Sequence, residues 1–352
     1  MSPLFGRSAL PFRRALLAWY DSVRRNLPWR ESADFYRVWL SEVMLQQTRV
    51  EAVIPYFHRF LERFPDIQAL ADAPEPDVLA AWSGLGYYSR ARNLHRAAKQ
   101  VAAQGVPASH DGVLSLPGAG PYTAAAISSI ALGLPHAAVD GNVIRVLSRL
   151  PNDAAEVSSP RTRARFAAEA QRLLDTRRPG DFNQAMMELG ATVCLPRTPL
   201  CPECPVQRFC AGREAGRERE LPVKLKKQEV TEIALDLLVI LRDGAVFLVR
   251  RDDAERRLAS FWELPARALF AEIPGIRASE FTHRIVNDRF HVVVWQAMLS
   301  AAVTAEGGRW FDLPELTSVP VTTVTRKALA ALFKKETAAN SFPWSEKSGP
   351  EE

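Results

Sequence analysis

The chain is organised around the stretch Leu116-Pro-Gly-Ala-Gly-Pro-Tyr-Thr-Ala-Ala125. Gly118 and Gly120 allow the backbone to make a tight turn directly before a helix. The free N–H groups of such a turn point outward at a helix start, where they concentrate positive potential for one phosphate. The pattern therefore predicts two helices joined by a hairpin that grips a nucleic-acid backbone without reading its sequence. An ordinary connection between helices can also contain Pro and Gly, so the pattern alone leaves that alternative open.

The residues around this hairpin predict an all-α domain. From Pro11 to about Arg208, apolar residues recur at helical spacing, and the breaks fall at Pro or Gly. We expect this domain to occupy residues 1–193. Its longer helices are expected at 50–64, 90–104, 122–132, 143–150, 162–174 and 182–190.

All four cysteines of the 352-residue chain lie within seventeen residues, as Cys194, Cys201, Cys204 and Cys210. A disulfide framework would scatter its cysteines to join distant loops. Structural zinc sites usually pair two short C-x2-C knuckles, and this loop has one. Interspersed prolines prevent a helix, and a compact loop suits a cubane whose four irons each take one thiolate. Residues 194–210 are therefore predicted to bind a [4Fe-4S] cluster, with zinc as the alternative.

The sequence changes character after the cysteine loop. Residues 211–229 are charged and nearly free of large apolar side chains, which predicts an exposed linker. Two apolar runs then flank Asp243-Gly244, which indicates a β-hairpin. The predicted elements are strands at 233–241, 245–249 and 290–295 and a helix at 328–335. We therefore expect an α+β domain at 230–335 and a disordered tail at 336–352.

The composition, 47% apolar and 24% charged, is that of a globular protein with room for two cores. No apolar run is long enough to span a membrane and no signal peptide is recognisable, so we expect a cytoplasmic protein. Residues 1–228 hold 30 Lys and Arg against 22 Asp and Glu, whereas the remainder holds 15 against 18. The basic part is expected to face a polyanion, although such a charge could equally serve solubility.

Two further segments make the pattern specific: Trp39-Leu-Ser-Glu-Val-Met-Leu-Gln-Gln-Thr48 and Val139-Asp-Gly-Asn-Val143. The hairpin, the second segment and the cysteine spacing together resemble the helix-hairpin-helix base-excision glycosylases that carry an iron–sulfur cluster. Within that superfamily, the first segment and residues 84–95 and 183–191 are similar to the adenine DNA glycosylase (MutY) family. The resemblance implies a monomer that acts, at the nucleoid, on double-stranded DNA containing A:8-oxoguanine or A:G mispairs.

The resemblance also implies roles for individual residues. Glu42 is the acid that protonates N7 of adenine and later activates water, and Asp140 stabilises the oxocarbenium sugar. Such an acid needs a raised pKa, and the apolar neighbours of Glu42 favour its desolvation. Asp140 also suits the N-cap of the next helix, with Asn142 holding it by hydrogen bonding. Tyr122 stands where lyase relatives carry a nucleophilic lysine, and a phenol cannot form a Schiff base, so efficient strand nicking is not expected.

A stacked base is reached by flipping it out of the duplex and filling the gap, and the matching wedge residues here are Gln47 and Tyr87. Tyr87 and Tyr88 stand in a Gly-flanked turn, so we expect both to be more exposed than a core pair. The other residues that match family positions around the extruded adenine and the DNA are Trp29, Arg30, Leu45, Val50 and Glu188.

The second domain resembles the Nudix-like module of this family. It lacks the pyrophosphatase signature after Gly244, which implies recognition of 8-oxoguanine rather than hydrolysis. The family's Phe-Ser-His element is Phe281-Thr282-His283 here, so Thr282 and His283 are the expected contacts, and the threonine methyl restricts the side-chain rotamer. Two alternatives remain: a thymine or other mismatch glycosylase, and a DNA-damage binding protein without catalysis.

Overall fold

The structure is a computed structural model that describes residues 9–223, 230–252, 258, 260–285, 287–317 and 319–336. Their contacts divide into two compact units. One unit consists of Met1–Asp72 and Asn93–Lys226, and the other of Ala73–Arg92 and Lys227–Glu352. Within the described ranges, no helix is long and apolar enough to cross a membrane.

The chain up to the cysteine loop is helical, as the apolar spacing predicts. Its helices are α1 (Leu10–Val23), α2 (Phe35–Leu45), α3 (Val50–Arg63), α4 (Ile67–Asp72), α5 (Glu75–Ala81), α6 (Ser89–Gln104), α7 (His110–Leu114), α8 (Pro121–Ile130), α9 (Gly141–Arg149), α10 (Pro160–Leu173) and α11 (Pro179–Thr192). A short helix, α12 (Ala211–Glu214), follows the cysteine loop. The six longer helices expected from the sequence correspond to α3, α6 and α8 to α11. The all-α prediction is therefore confirmed.

Helix α11 packs against both α9 and α1 around a core that includes Phe12, Leu147 and Phe182. The contact between α9 and α11 depends on Gly190. A Cβ atom added there would lie 2.6 Å from the Cβ of Asn142, closer than two carbon atoms can approach without displacement. The glycine thus allows the first turn of α9 to lie directly against α11.

The hairpin of the opening stretch joins α7 to α8. Gly118 has φ +81°, a conformation that L side chains rarely adopt, and a Cβ there would meet the Cβ of Asn93 at 2.7 Å. Gly120 is the N-cap of α8 and Pro121 follows as the first helical residue, where its missing N–H costs no hydrogen bond. The predicted helix, turn and helix are therefore present at the expected residues.

The second unit contains a mixed sheet and a closing helix, which confirms the α+β prediction. Its elements are β1 (Thr231–Arg242), β2 (Ala245–Arg250), β3 (Trp262–Glu263), β4 (Ile276–Ile285), β5 (Asp288–Met298), β6 (Gly308–Asp312) and α13 (Thr323–Glu336). The strand order is β3-β2-β1-β5-β4, β6 pairs with β2, and β1 runs parallel to β5. Asp243 and Gly244 have φ of +51° and +82°, as a tight hairpin between β1 and β2 requires.

The predicted linker, 211–229, is not exposed throughout. The Ala211 N–H donates to the Leu150 carbonyl at 2.8 Å, and Leu221 is 2% exposed, with its carbonyl accepting from Arg149 Nε at 3.0 Å. The exposed interpretation is wrong for these residues, because one buried leucine and paired backbone groups hold the segment to the first unit. Residues 224–229 lie outside the described residues, as does the predicted tail apart from its first residue, which ends α13.

The segment Ala73–Arg92 groups with the second unit, although it lies within the range 1–193 predicted for the catalytic domain. It comprises α5, a glycine-rich turn and the first residues of α6. The remaining domain boundaries stay predictions.

Candidate functional site

A cavity in the first unit collects side chains from α2, α3, α8, α9 and α11 and from the single helical turn at Pro28–Arg30. Nine of the residues singled out by their family positions line it: Trp29, Arg30, Glu42, Leu45, Val50, Tyr122, Asp140, Asn142 and Glu188. The fold therefore brings into one cavity residues that are up to 159 positions apart in the chain.

Glu42 is 6% exposed, on the buried face of α2 with Trp39 and Val43. Burial raises its pKa to about 7, because a carboxylate loses hydration when it is removed from water. A hydrogen bond from Tyr122 and the charge of Arg30 lower the pKa, whereas the nearby Asp140 raises it further. At neutral pH, the carboxyl can therefore both give and take a proton.

The phenol of Tyr122 is the hydrogen-bond partner of Glu42. Its Oη donates to Glu42 Oε2 at 2.8 Å and lies 3.3 Å from Met187 Sδ. Burial and the two neighbouring carboxyl groups raise the pKa of Tyr122, so the phenol keeps its proton and stays a donor. Tyr122 therefore lies within the cavity and orients the carboxyl group.

Asp140 is the N-cap of α9, as its position in the sequence predicts. Its Oδ1 accepts the Val143 N–H at 2.7 Å, and its Oδ2 accepts from Asn142 Nδ2 at 2.9 Å. Burial raises the pKa of Asp140, and these hydrogen bonds oppose the rise. Asn142 in turn accepts from Arg145 Nη2 at 2.8 Å, so the carboxylate is held in one orientation by a chain of contacts within α9.

The same helix reaches the cysteine loop at its other end. Arg145 Nε donates to the Cys194 carbonyl at 2.7 Å, and Arg149 Nη1 lies 3.2 Å from Cys194 Sγ. Arg149 is 1% exposed and also donates to the carbonyls of Leu195 at 2.7 Å and Pro196 at 2.9 Å. The four cysteines and Arg149 line one small cavity.

Glu188 lies in the wall of the cavity as an ion pair. Its Oε1 accepts from Arg25 Nε at 2.6 Å and its Oε2 from Arg30 Nη2 at 2.9 Å. Glu188 is 1% exposed, and although burial alone would raise its pKa, the two guanidinium groups lower it. Glu188 is therefore ionised at neutral pH and paired with two guanidinium groups. Arg25 was not identified from the sequence, because only the fold shows which of many arginines faces this carboxylate.

Several predicted residues lie outside the cavity. Gln47 and Tyr87 are exposed and have φ of +58° and +49°, which is uncommon for residues other than glycine. The hairpin residues Gly118 and Gly120 do not line it. The expectation that both tyrosines of the turn are exposed is wrong for Tyr88, which is 3% exposed against 42% for Tyr87. The ring of Tyr88 packs against that of Phe261, a residue far along the chain, and the sequence pattern did not show this contact.

In the second unit, Thr282 and His283 lie on β4, a strand that the sequence did not predict. Successive strand residues face opposite sides of a sheet, so these two side chains point away from each other. Thr282 is exposed, whereas His283 is half-buried and Phe281 packs against the core. Burial lowers the pKa of His283, and Lys327 on α13 lowers it further.

Known proteins resemble both the sequence and the fold. A family model described as HhH-GPD superfamily base excision DNA repair protein matches residues 40–171. An adenine DNA glycosylase of Homo sapiens is 46% identical over 222 residues, which cover 60% of this chain and 41% of that protein. An adenine DNA glycosylase of Buchnera aphidicola subsp. Acyrthosiphon pisum is 33% identical over 248 residues, which cover 69% of this chain and 71% of that protein.

A solved structure of a thermostable thymine-DNA glycosylase is 26% identical, with a TM-score of 0.54. The likeness covers 59% of this chain and 97% of that one. The chain spans less than half the length of the human relative.

The raised pKa of Glu42 gives a testable pH dependence of stability. Its pKa is about 7 in the folded protein against an ordinary value of 4.5, so the folded state holds the proton more tightly. The resulting stability is present below pH 4.5 and is lost as the pH rises to 7. Between pH 5 and pH 8 the parent protein should lose about 2.5 kcal/mol of unfolding free energy relative to Glu42→Gln.

Urea unfolding followed by circular dichroism at both pH values measures this difference. Glu62→Gln, which alters an exposed glutamate on α3, is the matched control and should follow the parent protein. Equal pH dependence for the parent and Glu42→Gln would show that the buried carboxyl does not hold its proton.

Proposed function

This chain belongs to the adenine DNA glycosylase family, and from that premise we propose that it hydrolytically removes adenine mispaired with 8-oxoguanine or G in double-stranded DNA. The observation that carries the proposal is the geometry at Glu42. A buried carboxyl whose pKa is about 7 accepts a hydrogen bond from Tyr122 and shares a cavity with Asp140. Glycosidic hydrolysis needs such a pair, one group to give a proton and one to stabilise a cation.

The reaction breaks the bond between N9 of adenine and C1′ of deoxyribose. Glu42 gives its proton to N7, so that the purine leaves as a neutral base while positive charge develops on the sugar. Asp140, whose two oxygens are fixed by Val143 and Asn142, stabilises that cation. The Glu42 carboxylate then takes a proton from water, whose oxygen adds to C1′, and the acid is restored.

The same geometry supports release of the base without efficient strand cleavage. A lyase needs an amine that condenses with the opened sugar, and the residue beside Glu42 is the phenol of Tyr122. The DNA strand that carries the abasic sugar should therefore leave the enzyme largely intact and break mainly under alkali.

We assign the binding of DNA to the hairpin and to two exposed residues. The start of α8 after Gly120 presents backbone N–H groups to one phosphate. Gln47 and Tyr87 have the exposure and the left-handed backbone that suit side chains projecting into a duplex to replace the flipped base. In this proposal one monomer carries all of these contacts.

The second unit is assigned to reading the base opposite adenine, as its resemblance to the Nudix-like module implies. Thr282 on the exposed face of β4 is the proposed contact to 8-oxoguanine. His283, the other expected contact, faces the opposite side of the strand and is half-buried.

The cysteine loop is proposed to hold a [4Fe-4S] cluster. All four thiols line one cavity. A cubane takes one thiolate at each of its four irons, so four thiols around one cavity suit it. When bound, the cluster orders the loop that carries the exposed Arg197, and hydrolysis of the base requires no electron from it.

Two other functions are distinguished by experiment. The likeness to a thymine-DNA glycosylase structure makes a mismatch glycosylase for thymine the second candidate. A damage-binding protein without catalysis is the third. Glu42→Gln separates the third from the first two, because it keeps the shape of the cavity and removes the proton that the reaction needs.

We expect single-turnover release of adenine from duplexes with A opposite 8-oxoguanine or G, and no release from A:C or A:T. Product strands should break mainly after alkali, and Glu42→Gln should bind the A:8-oxoguanine duplex normally while losing release by at least about a hundredfold. A duplex with T opposite G tests the second candidate in the same assay. Release of thymine from the T:G duplex would favour the thymine mismatch glycosylase over the proposed function. Tight binding without release of any base would favour the damage-binding protein.

The pH–rate profile tests the contact between Tyr122 and Glu42. The phenol's hydrogen bond lowers the pKa of Glu42, so Tyr122→Phe should raise that pKa above about 7. Because the protonated acid is active, the fall in rate at high pH should move to a higher pH. Tyr36→Phe removes another buried phenol, which donates to the Phe64 carbonyl at 2.9 Å, and should leave the midpoint unchanged. Equal profiles in all three proteins would contradict the role of Tyr122.

Metal analysis tests the cluster. Protein purified without air should contain about four irons and four acid-labile sulfides per chain. One zinc ion per chain and no sulfide would show that the four cysteines hold a structural zinc ion rather than the cluster.

A further inference from the structure

The wedge residue Tyr87 belongs to the second unit rather than to the unit that contains Glu42. The segment Ala73–Arg92, which carries it, groups by contacts with Lys227–Glu352. Tyr87 lies between α5 and α6 in a turn where Gly84 and Gly86 also have positive φ, of +106° and +70°. The segment proposed to enter the duplex is therefore packed on the part of the chain proposed to read the opposite base.

The turn is held in shape by its own side chains. Arg90 Nη2 donates to the carbonyls of Leu85 and Gly86, each at 3.2 Å, and Trp82 Nε1 donates to the Gly86 carbonyl at 3.2 Å. The guanidinium of Arg90 also lies over the rings of Trp82 and Tyr87, at 5.4 and 5.5 Å. These contacts fix the backbone that projects the Tyr87 ring, but none of them reaches the sheet.

The connection to the sheet passes through the next residue, Tyr88. Its ring meets that of Phe261 edge to face, with centroids 4.2 Å apart, and the two residues are 3% and 0% exposed. Phe261 directly precedes β3, and its carbonyl accepts the Arg251 N–H at 2.8 Å. Two further links are the guanidinium of Arg92, which lies 5.9 Å from the centroid of the Phe261 ring, and Arg326 of α13, which contacts the Ser83 hydroxyl.

We propose that Phe261 is a positioning residue that fixes the Tyr87 turn to the second unit, and thereby sets how strongly the opposite base controls adenine release. The inference rests on the proposed function, in which Tyr87 fills the space left by the flipped base. A wedge held in place loses less conformational freedom when it enters the duplex. Because the second unit carries Tyr87, the entry of Tyr87 into the duplex depends on how that unit binds the base opposite adenine.

The positioning is tested first without any activity. Phe261→Leu removes the ring contact, and Phe247→Leu is the matched control, since Phe247 is 1% exposed in the same unit and its ring meets Phe270 and Trp310. Hydrogen exchange of the free protein should become about three- to tenfold faster for the backbone amides of residues 83–90 in Phe261→Leu alone. Unchanged exchange there, or an equal increase in both variants, overturns the inference.

The functional consequence is tested by the ratio of single-turnover rates for A:8-oxoguanine and A:G duplexes. Phe261→Leu should lower this ratio about three- to tenfold, and Phe247→Leu should not. In a Tyr87→Ala background the effect of Phe261→Leu should disappear, because Phe261 acts through Tyr87. A loss of equal size in that background overturns the inference. If the parent protein releases no adenine, the proposed function fails, and the exchange measurement still decides whether Phe261 holds the turn.

Discussion

A carboxyl group removed from water must keep its proton or find a donor, and Glu42 does both. Its burial on α2 raises its pKa, the Tyr122 phenol on α8 orients it, and the charge of Asp140 at the start of α9 raises the pKa further. Three helices must therefore keep their positions to within a hydrogen-bond length. Much of the first unit serves this requirement, including the close contact of α9 with α11 that Gly190 allows.

Most residues of this site were predicted through the family resemblance, and a few of its features also leave a local signature in the sequence. The N-cap role of Asp140 follows from the helix that begins one residue later, and the apolar neighbours of Glu42 already indicate a desolvated acid. The pattern of four cysteines predicts their meeting in one loop, because they are close in the chain. In each case the residues that determine the geometry are sequence neighbours, or they belong to an element whose periodicity is clear.

The features that the sequence did not predict depend on partners far along the chain. Arg25 meets Glu188 only after α1 and α11 have packed. Tyr88 is buried because Phe261, more than 170 residues later, covers its ring. Strand β4 carries charged residues on its exposed face, and its pairing with β5 rather than its composition makes it a strand. Local propensity contains none of this information, since each feature is determined by tertiary contacts.

The grouping of Ala73–Arg92 with the C-terminal sheet means that the boundary between the two units is crossed three times by the chain. A protein divided at residue 226 would not yield two complete modules. The N-terminal piece would keep Tyr88 but lose Phe261, so the Tyr88 ring would lose the aromatic side chain that packs against it. Exchange of C-terminal modules between relatives would therefore succeed only when residues 73–92 are transferred with them, so the two parts are expected to have diverged together.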